Sequence, residues 1–259
     1  MKNTITHAIE DFVSQRMLNN ESRTHWGTPL VGFAAADDPL FAKLKEVVRP
    51  SHATPGELLA GARTVVVYFL PFSQEIPRSN RLEHNASPEW AVAYVETNHL
   101  IIDLNQHLSG VLKEQGHASK VLPPTHNFDT EQLMADWSHK HIAYVAGLGK
   151  FGLHHMLITE KGCCGRFGSL VTDAVIKPTP RPEGEFCFGQ HDGSCKICLK
   201  KCPVGALTEE GYDRHKCYEL LLENADIYAS EGLADVCGKC TSVVPCSFIN
   251  PVGAKRRKD

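Results

Sequence analysis

The first half of the chain alternates between helical and extended hydrophobic patterns. Apolar residues recur three and four positions apart over residues 3–18, which predicts an amphipathic opening helix. Ser87 followed by Pro88 is typical of a helix start, and the apolar positions over residues 94–112 predict a long helix with one buried face. A third helix is predicted over about residues 129–146.

Short apolar runs predict strands. The clearest covers residues 64–70, which are hydrophobic toward both faces and stop at Pro71, as expected for a central strand. Four further strands are predicted near residues 30–33, 119–122, 156–159 and 169–173. This mixture of helices and strands predicts an α/β domain in the N-terminal part of the chain.

The composition changes at residues 177–182, which read Lys-Pro-Thr-Pro-Arg-Pro. Prolines at every second position make a stiff, extended connector, so we place a domain boundary there. The predicted domains are residues 1–180 and residues 181–259. The second is predicted to be a compact, cysteine-rich domain with a helix over residues 213–229.

Bulk properties exclude some classes of function. The chain has 259 residues, 22% of them charged, and a net charge of −3, which argues against a general nucleic-acid surface. It contains no apolar run of about 18 residues, so neither a membrane span nor a membrane partner is expected. The first residues are polar rather than an apolar signal segment, and with many cysteines this predicts a cytoplasmic, reducing location.

Eight of the ten cysteines lie between Cys187 and Cys246, in the pattern of two interleaved iron–sulfur sites. The centre of the pattern is a Cys-x2-Cys-x3-Cys-Pro run over residues 195–203. In two-cluster ferredoxins the Cys before the Pro ligates the other cluster. The predicted ligands of one [4Fe–4S] cluster are Cys187, Cys195, Cys198 and Cys246, and those of the second are Cys202, Cys217, Cys237 and Cys240.

Structural zinc and disulfides are the competing interpretations of these cysteines. Zinc ribbons also contain Cys-x2-Cys pairs, but they seldom continue with Cys-Pro-Val-Gly-Ala, as residues 202–206 do. The usual first cluster ligand would stand three residues before Cys195, where this chain has Asp192. Cys187 is predicted to replace it across a longer loop, and Asp192 as an oxygen ligand is the rival.

A glycine-rich turn follows the predicted third helix. Gly147, Gly149 and Gly152 resemble a G-x-G-x-x-G pattern, but a dinucleotide fingerprint leaves a strand and opens a helix, whereas this one leaves a helix and enters a strand. The glycines therefore indicate close backbone approach. The partner is either a flat cofactor or a neighbouring element of the protein, and the residues alone leave both open.

The glycine turn over residues 146–152, the segments 156–159 and 60–67 and the double cysteine motif together resemble epoxyqueuosine reductases. These are similar in architecture to cobalamin-dependent reductive dehalogenases. The resemblance covers roughly residues 30–250 and implies an α+β fold, with a nitroreductase-like α/β domain followed by a ferredoxin-like domain with two [4Fe–4S] clusters. It also implies that electrons pass through the clusters to an active site holding a corrinoid, or a flavin if the cavity was reused. The residues that it places against this cofactor are Gly147, Gly149, Lys150, Gly152 and His154.

Departures from the family pattern predict a divergent member. His154 stands where the family has Asn, and the register of the family's catalytic aspartate falls on Leu133. The nearest acids are Glu131 and Asp136. Together with the short sequence after the last cysteine, these departures argue against tRNA as the substrate.

Asp136 and His139 are the candidate catalytic residues, as proton donors to a reduced substrate. The alternative for Asp136 is an i,i+4 ion pair with Lys140, and the alternative for His139 or His141 is to stabilise the end of the predicted helix. On a strand His154 and His155 would face opposite ways, so only one of them would reach a cofactor.

Cys163 and Cys164 form an adjacent pair outside the cluster motif. They are either inert thiols in a tight turn or a redox-active or metal-binding pair near the active cavity.

The pattern as a whole predicts a cytoplasmic iron–sulfur oxidoreductase. The expected partners are a ferredoxin-type or flavodoxin-type electron donor and a small-molecule or corrinoid substrate. The alternative is a non-catalytic, ferredoxin-type electron carrier without cobalamin. The substrate itself is not predicted.

Overall fold

The computed structural model of the chain describes residues 1–19 and 22–256. The last three positions of the predicted second domain, 257–259, lie outside the described residues. The helices are α1 (Lys2–Leu18), α2 (Pro39–Val47), α3 (Pro55–Leu58), α4 (Glu75–Ser79), α5 (Pro88–Glu114), α6 (His139–Val145), α7 (Phe188–His191), α8 (Ile197–Lys200), α9 (Arg214–Ile227) and α10 (Pro251–Arg256), with a 3-10 turn at Ala229–Glu231. The strands are β1 (Leu30–Ala35), β2 (Thr64–Pro71), β3 (Ser119–Val121), β4 (Phe128–Asp129), β5 (Met134–Ala135), β6 (Gly149–Phe151), β7 (Leu157–Thr159) and β8 (Gly165–Thr172).

A four-stranded sheet in the order β1-β2-β8-β3 forms the centre of the fold, and each neighbouring pair is antiparallel. Every residue of β2 is buried, as its two-sided hydrophobic pattern predicts. Val66 and Tyr68 belong to a core shared with α1 and α5, whereas Val65 and Val67 belong to a core shared with α2 and α6. The sheet is therefore covered by helices on both faces, which agrees with the mixed fold class expected from the sequence.

Most of the predicted elements are confirmed. The opening helix is α1, and its buried positions are Ile5, Ile9 and Val13. The long helix is α5, where the Ser87 side chain accepts a hydrogen bond from the Trp90 backbone N–H at 3.2 Å and caps the first turn. The helix predicted over residues 213–229 is α9.

The helix predicted over about residues 129–146 is wrong in its first half. Residues 128–135 form the β4–β5 hairpin, and α6 begins only at His139. The Asp129 carboxylate accepts backbone N–H bonds from Glu131 and Gln132 at 3.0 and 2.7 Å, which closes a turn in place of a helix. Leu133 then takes a positive φ of 54°. An Asp side chain that bonds its own backbone thus overrides the apolar periodicity.

The proline-rich connector lies along the edge of the sheet. The Thr179 backbone N–H donates to the Phe33 carbonyl at 2.8 Å, and the Thr179 hydroxyl accepts from the Phe33 N–H at 3.1 Å. Arg181 pairs with Asp38 at 2.6 Å. The segment is extended, as its prolines predict, but it is held against β1 at Thr179 and against Asp38 at Arg181.

The cysteine-rich segment packs back onto the N-terminal elements. The Asn80 side chain donates to the Cys237 carbonyl at 2.8 Å, and the Tyr228 hydroxyl donates to the Ala86 carbonyl at 2.6 Å. Within residues 1–19 and 22–256, no helix has the length and apolar character needed to cross a membrane.

Thr64 joins the start of β2 to the segment that follows β8. Its buried hydroxyl donates to the Ala174 carbonyl at 2.7 Å and accepts from the Ile176 N–H at 3.1 Å. Thr64→Val leaves both backbone groups without a partner, so we expect the free energy of unfolding to fall by about 2–4 kcal/mol. Anaerobic urea unfolding measures this loss, and the exposed Thr130→Val is the matched control. Equal midpoints for the two variants would contradict the structural role of Thr64.

Candidate functional site

The eight predicted cluster cysteines lie in two groups of four. Burial raises the pKa of Cys198 to about 12, and the neighbouring thiols that raise it further are Cys246, Cys187 and Cys195. These four are called the first thiol group. Burial also raises the pKa of Cys240 far above its usual value, with Cys237, Cys217, Cys198 and Cys202 as its charged neighbours. Cys202, Cys217, Cys237 and Cys240 are called the second thiol group.

Local turns and helices position these thiols. Cys198 lies in α8, and Cys217 lies in the first turn of α9, which the Asp213 carboxylate caps through the Lys216 N–H at 3.0 Å. The Cys202 sulfur accepts a backbone bond from the Ala206 N–H at 3.1 Å. Asp192, the rival ligand, is exposed and accepts from the Ser194 N–H at 3.0 Å, so its carboxylate serves a local turn.

Cys246 of the first group receives two side-chain hydrogen bonds. His154 Nε2 lies 3.3 Å from the Cys246 sulfur. Because His154 Nδ1 accepts from the Met156 N–H at 3.1 Å, Nε2 carries the proton and donates to the sulfur. The Cys163 thiol is the other donor, and together they lower the pKa of Cys246 to about 5. The ligand atoms of His154, Cys163 and Cys246 all lie within 4.8 Å of one another, and all three residues are buried.

The adjacent cysteines outside the motif hydrogen-bond to each other and to the cysteine-rich segment. The Cys163 thiol faces Cys246, and the Cys164 thiol donates to the Thr241 carbonyl at 3.2 Å. Both are buried, and the backbone N–H groups of both donate to the Ser247 carbonyl at 3.2 Å. The pair thus joins the β7–β8 turn to the cysteine-rich segment.

The second group has its own donors. The Tyr212 hydroxyl bonds to the Cys217 sulfur, and burial raises the pKa of Tyr212. The Trp90 indole N–H is buried and has no hydrogen-bond partner among the described residues. The indole lies against Gly238, in the turn between Cys237 and Cys240, where any Cβ would collide with the ring. Trp90 therefore brings an unused donor to the wall of the space that the second thiol group surrounds.

Two adjoining cavities open beside the second thiol group. The smaller, of about 410 Å³, is lined by all four of its cysteines and by Trp90. The larger, of about 800 Å³, lies against α6 and the β4–β5 hairpin. The residues that line both cavities form a shared wall, and its polar members are Thr125, Lys140, His155, Arg166, Tyr212 and Arg214.

The predicted glycine turn serves packing. A Cβ at Gly147 would collide with the backbone of Pro180, and one at Gly149 would collide with the backbone of Ile158. Gly152 borders the larger cavity but packs against His154 and Ile158. Of the two partners that the sequence left open, the observed partner of these glycines is therefore a neighbouring element.

The other residues predicted to contact a corrinoid, Lys150 and His154, also have partners within the protein. The Lys150 ammonium lies 5.5 Å from the centre of the Tyr144 ring and lines neither cavity. His154 is directed to Cys246. Its neighbour His155 borders both cavities and stacks on Tyr212 at 5.3 Å between ring centres. The expected alternation fails because His155 lies in a turn with a φ of 57°, before β7 begins.

The two candidate catalytic residues have structural partners. Asp136 is about half exposed, accepts from the Ser51 hydroxyl at 2.6 Å, and pairs with Arg49 at 3.4 Å. It does not border either cavity, and the expected pair with Lys140 is replaced by a bond from Lys140 to the His155 carbonyl at 2.9 Å.

His139 is buried at the edge of the larger cavity. Its Nε2 donates to the Pro123 carbonyl at 2.9 Å, and its Nδ1 accepts from the Ser169 hydroxyl at 2.8 Å. Burial lowers its pKa to about 4, so the ring is neutral near pH 7. The alternative of stabilising a helix C-terminus is wrong, because His139 is the first residue of α6.

Three residues that line one or both cavities were not among the predicted site residues. Arg166 lies in β8, and its guanidinium carbon is 4.2 Å from the centre of the Tyr94 ring. Tyr212 precedes α9, and Trp90 lies in α5, both far in sequence from the glycine turn. Only the tertiary packing brings them together, so no local motif marks them.

Known proteins resemble this chain in sequence and in fold. No family model matches the chain. It is 27% identical over 206 residues to an epoxyqueuosine reductase of Bacillus anthracis, an alignment that covers 74% of this chain and 50% of that protein. It is 26% identical over 206 residues to the corresponding protein of Bacillus subtilis, covering 74% and 49%. The chain therefore spans about half the length of these curated relatives, which are enzymes.

Solved structures share the fold. An epoxyqueuosine reductase from Bacillus subtilis superposes with a TM-score of 0.56 at 18% identity, covering 93% of this chain and 66% of that one. A catabolic reductive dehalogenase in complex with 3-bromo-4-hydroxybenzoic acid superposes with a TM-score of 0.60 at 17% identity, covering 88% and 31%. These likenesses confirm the resemblance to epoxyqueuosine reductases and, in fold, to reductive dehalogenases that the glycine turn and the cysteine spacing predict.

Proposed function

We propose that this chain is an iron–sulfur oxidoreductase that carries electrons through two [4Fe–4S] clusters to a substrate in the larger cavity. The observation that supports this best is the separation of the eight cysteines into two groups of four, with the second group lining the smaller cavity, which shares a wall with the larger one. The relatives' name, epoxyqueuosine reductase, is consistent with a reductase. The sequence-based argument against tRNA as substrate stays a prediction, although one structural neighbour is an epoxyqueuosine reductase with a tRNA stem loop.

The residues present fit the clusters. Each group offers four thiols, and burial raises the pKa of Cys198 to about 12 and that of Cys237 to about 11, which disfavours the thiolates unless a metal holds them. Trp90 lines the same space, and its buried N–H, beside Gly238, is a donor without a partner among the described residues. When bound, the clusters supply one-electron carriers whose potentials depend on hydrogen bonds to their sulfurs.

Hydrogen-bond donors of the chain stabilise negative charge on these sulfurs. His154 and Cys163 donate to Cys246, the Ala206 N–H donates to Cys202, and Tyr212 donates to Cys217. Hydrogen bonds to an anion stabilise it most when its charge is highest, so these residues favour the reduced state.

The larger cavity favours a reductase over an electron carrier. Its volume of about 800 Å³ is within the range of about 300–1,000 Å³ typical of ligand and cofactor sites. The family resemblance places a corrinoid against the glycine turn, but the residues of the turn do not fit a corrinoid. Of these residues only Gly152 borders the larger cavity, and its neighbours pack against other parts of the protein. A second cofactor of the corrinoid or flavin class has room in the larger cavity instead.

Lys140 is the best placed proton source. It belongs to the shared wall, and loss of solvent together with the nearby Arg214 charge lowers its pKa to about 8. A cation with a pKa near the working pH can release a proton to a substrate as it is reduced. Asp136 lies outside the cavities and His139 is held neutral, so neither fills this role as well.

Iron content tests the ligand assignment. We expect about eight irons per chain in protein purified without oxygen, and about four in Cys202→Ser, since each [4Fe–4S] cluster holds four. Cys164→Ser removes a buried thiol outside both groups and is expected to keep about eight. Visible spectra before and after dithionite show whether the clusters are reducible. Four irons or zinc in the wild-type protein would contradict the proposal.

Redox titration followed by electron paramagnetic resonance tests the donors. Trp90→Phe is expected to lower the midpoint potential of one cluster and His154→Leu that of the other, each on the order of 50 mV, close to a tenfold change in a one-electron equilibrium. Trp26→Phe is the control, because the Trp26 N–H donates to Thr97 at 2.9 Å, away from both thiol groups. Identical potentials in Trp90→Phe and wild type would show that the indole N–H does not reach a cluster sulfur.

A further inference from the structure

We infer that the shared wall is an anion-binding site built on Arg166, and that its ligand carries a carboxylate or phosphate group. This inference rests on the proposed function only in taking the larger cavity as the substrate site. Three of the six polar side chains of the wall, Lys140, Arg166 and Arg214, are cations, and none is a carboxylate.

Arg166 is held in place by neutral partners. One guanidinium nitrogen donates to the Asn98 amide oxygen at 2.8 Å, and the guanidinium lies over the Tyr94 ring at 4.2 Å. In the part of the chain that the structure describes, no carboxylate pairs with Arg166. Its planar fork is therefore oriented while its charge is not neutralised, which suits two-point recognition of a carboxylate or phosphate.

The acidic residues near the wall are already engaged. Asp235, which lines the smaller cavity, accepts from the Tyr94 hydroxyl at 2.8 Å and lies 3.5 Å from His126 Nε2. Glu209, at the edge of the larger cavity, pairs with Lys196 at 2.5 Å, and Glu210 beside it bonds to the Thr208 side chain. None of these acids pairs with Arg166, whose charge is thus left for a ligand.

The cations of the wall differ in what surrounds them. Lys140 interacts with the thiols of Cys240 and Cys217, so its charge offsets charge on the second thiol group, and Arg214 lies close to Lys140. Arg166 instead acts on His139, which borders the larger cavity. Of the wall cations, Arg166 is therefore the one expected to interact with a ligand rather than with a cluster.

The ligand beside Arg166 is expected to be partly apolar. Phe128, Leu133 and Met156 also belong to the wall. An anion attached to an aromatic or aliphatic body satisfies both halves of this surface. The anionic group belongs either to the substrate or to the phosphodiester of a corrinoid, and binding experiments separate these two sources.

Binding of small probes to the cluster-loaded protein tests the site. Benzoate and its neutral isostere benzamide are titrated by calorimetry without oxygen and at constant ionic strength, with inorganic phosphate as a second anion. We expect benzoate to bind at least about tenfold tighter than benzamide, as charge-assisted bonds of about 1.5–3 kcal/mol imply. Arg166→Gln is expected to remove this preference, and Arg166→Lys to keep part of it. The control is Arg63→Gln, an exposed arginine that lines neither cavity.

Cobalamin and cobinamide, which lacks the nucleotide loop and its phosphodiester, identify the source of the anion. A loss of cobalamin binding in Arg166→Gln with cobinamide unaffected assigns the anion to the corrinoid. If Arg166→Gln keeps its affinity for cobalamin and cobinamide but loses benzoate binding, the anion belongs to the substrate. Equal binding of benzoate and benzamide to wild type, or benzoate binding that survives Arg166→Gln, overturns the inference.

Iron content separates this test from that of the proposed function. Arg166→Gln is expected to hold about eight irons like the wild type. Equal binding of benzoate and benzamide to wild-type protein with full, reducible clusters counts against the anion site alone. Missing clusters in the wild type count against the proposed function, whatever the probes do.

Discussion

The close approach between the β7–β8 turn and the cysteine-rich segment is the contact on which the site depends. Gly162 lies against the Ser247 backbone, where a side chain would collide, and has a φ of 77°. This approach lets the Cys163 N–H donate to the Cys246 carbonyl at 3.0 Å. Cys246 is thereby fixed beside His154 and Cys163. The α/β part of the chain and the cysteine-rich segment, which differ in composition, thus form one site.

Burial of so many thiols is an electrostatic problem, and the surrounding residues address it in two ways. Side-chain donors stabilise charge on individual sulfurs, as His154 does for Cys246 and Tyr212 for Cys217. A cation at the shared wall, Lys140, offsets charge on Cys217 and Cys240 of the second thiol group. Both effects are strong only because water is excluded.

Elements with a strong local signal were predictable, and contacts between distant segments were not. The pattern of β2 and the Ser-Pro start of α5 identify those elements, because burial and capping act over neighbouring residues. The cysteine spacing likewise acts over neighbouring residues, and the assignment of its eight thiols to two clusters stays a prediction. The positions of Arg166 and Trp90 at the cavities depend on packing between β8, α5 and the cysteine-rich segment, which no local pattern encodes. The turn at Asp129 was missed because a side chain bonds its own backbone there.

His154 has a partner that the family resemblance does not imply. The resemblance places it against a cofactor resting on the glycine turn, whereas Gly147 and Gly149 of that turn pack against Pro180 and Ile158. A neutral imidazole with Nδ1 bound to the Met156 N–H has a single remaining donor, and the nearest sulfur acceptor is Cys246. The turn therefore contributes to the first thiol group, while the shared wall, with its surplus of positive charge, is left to face the ligand.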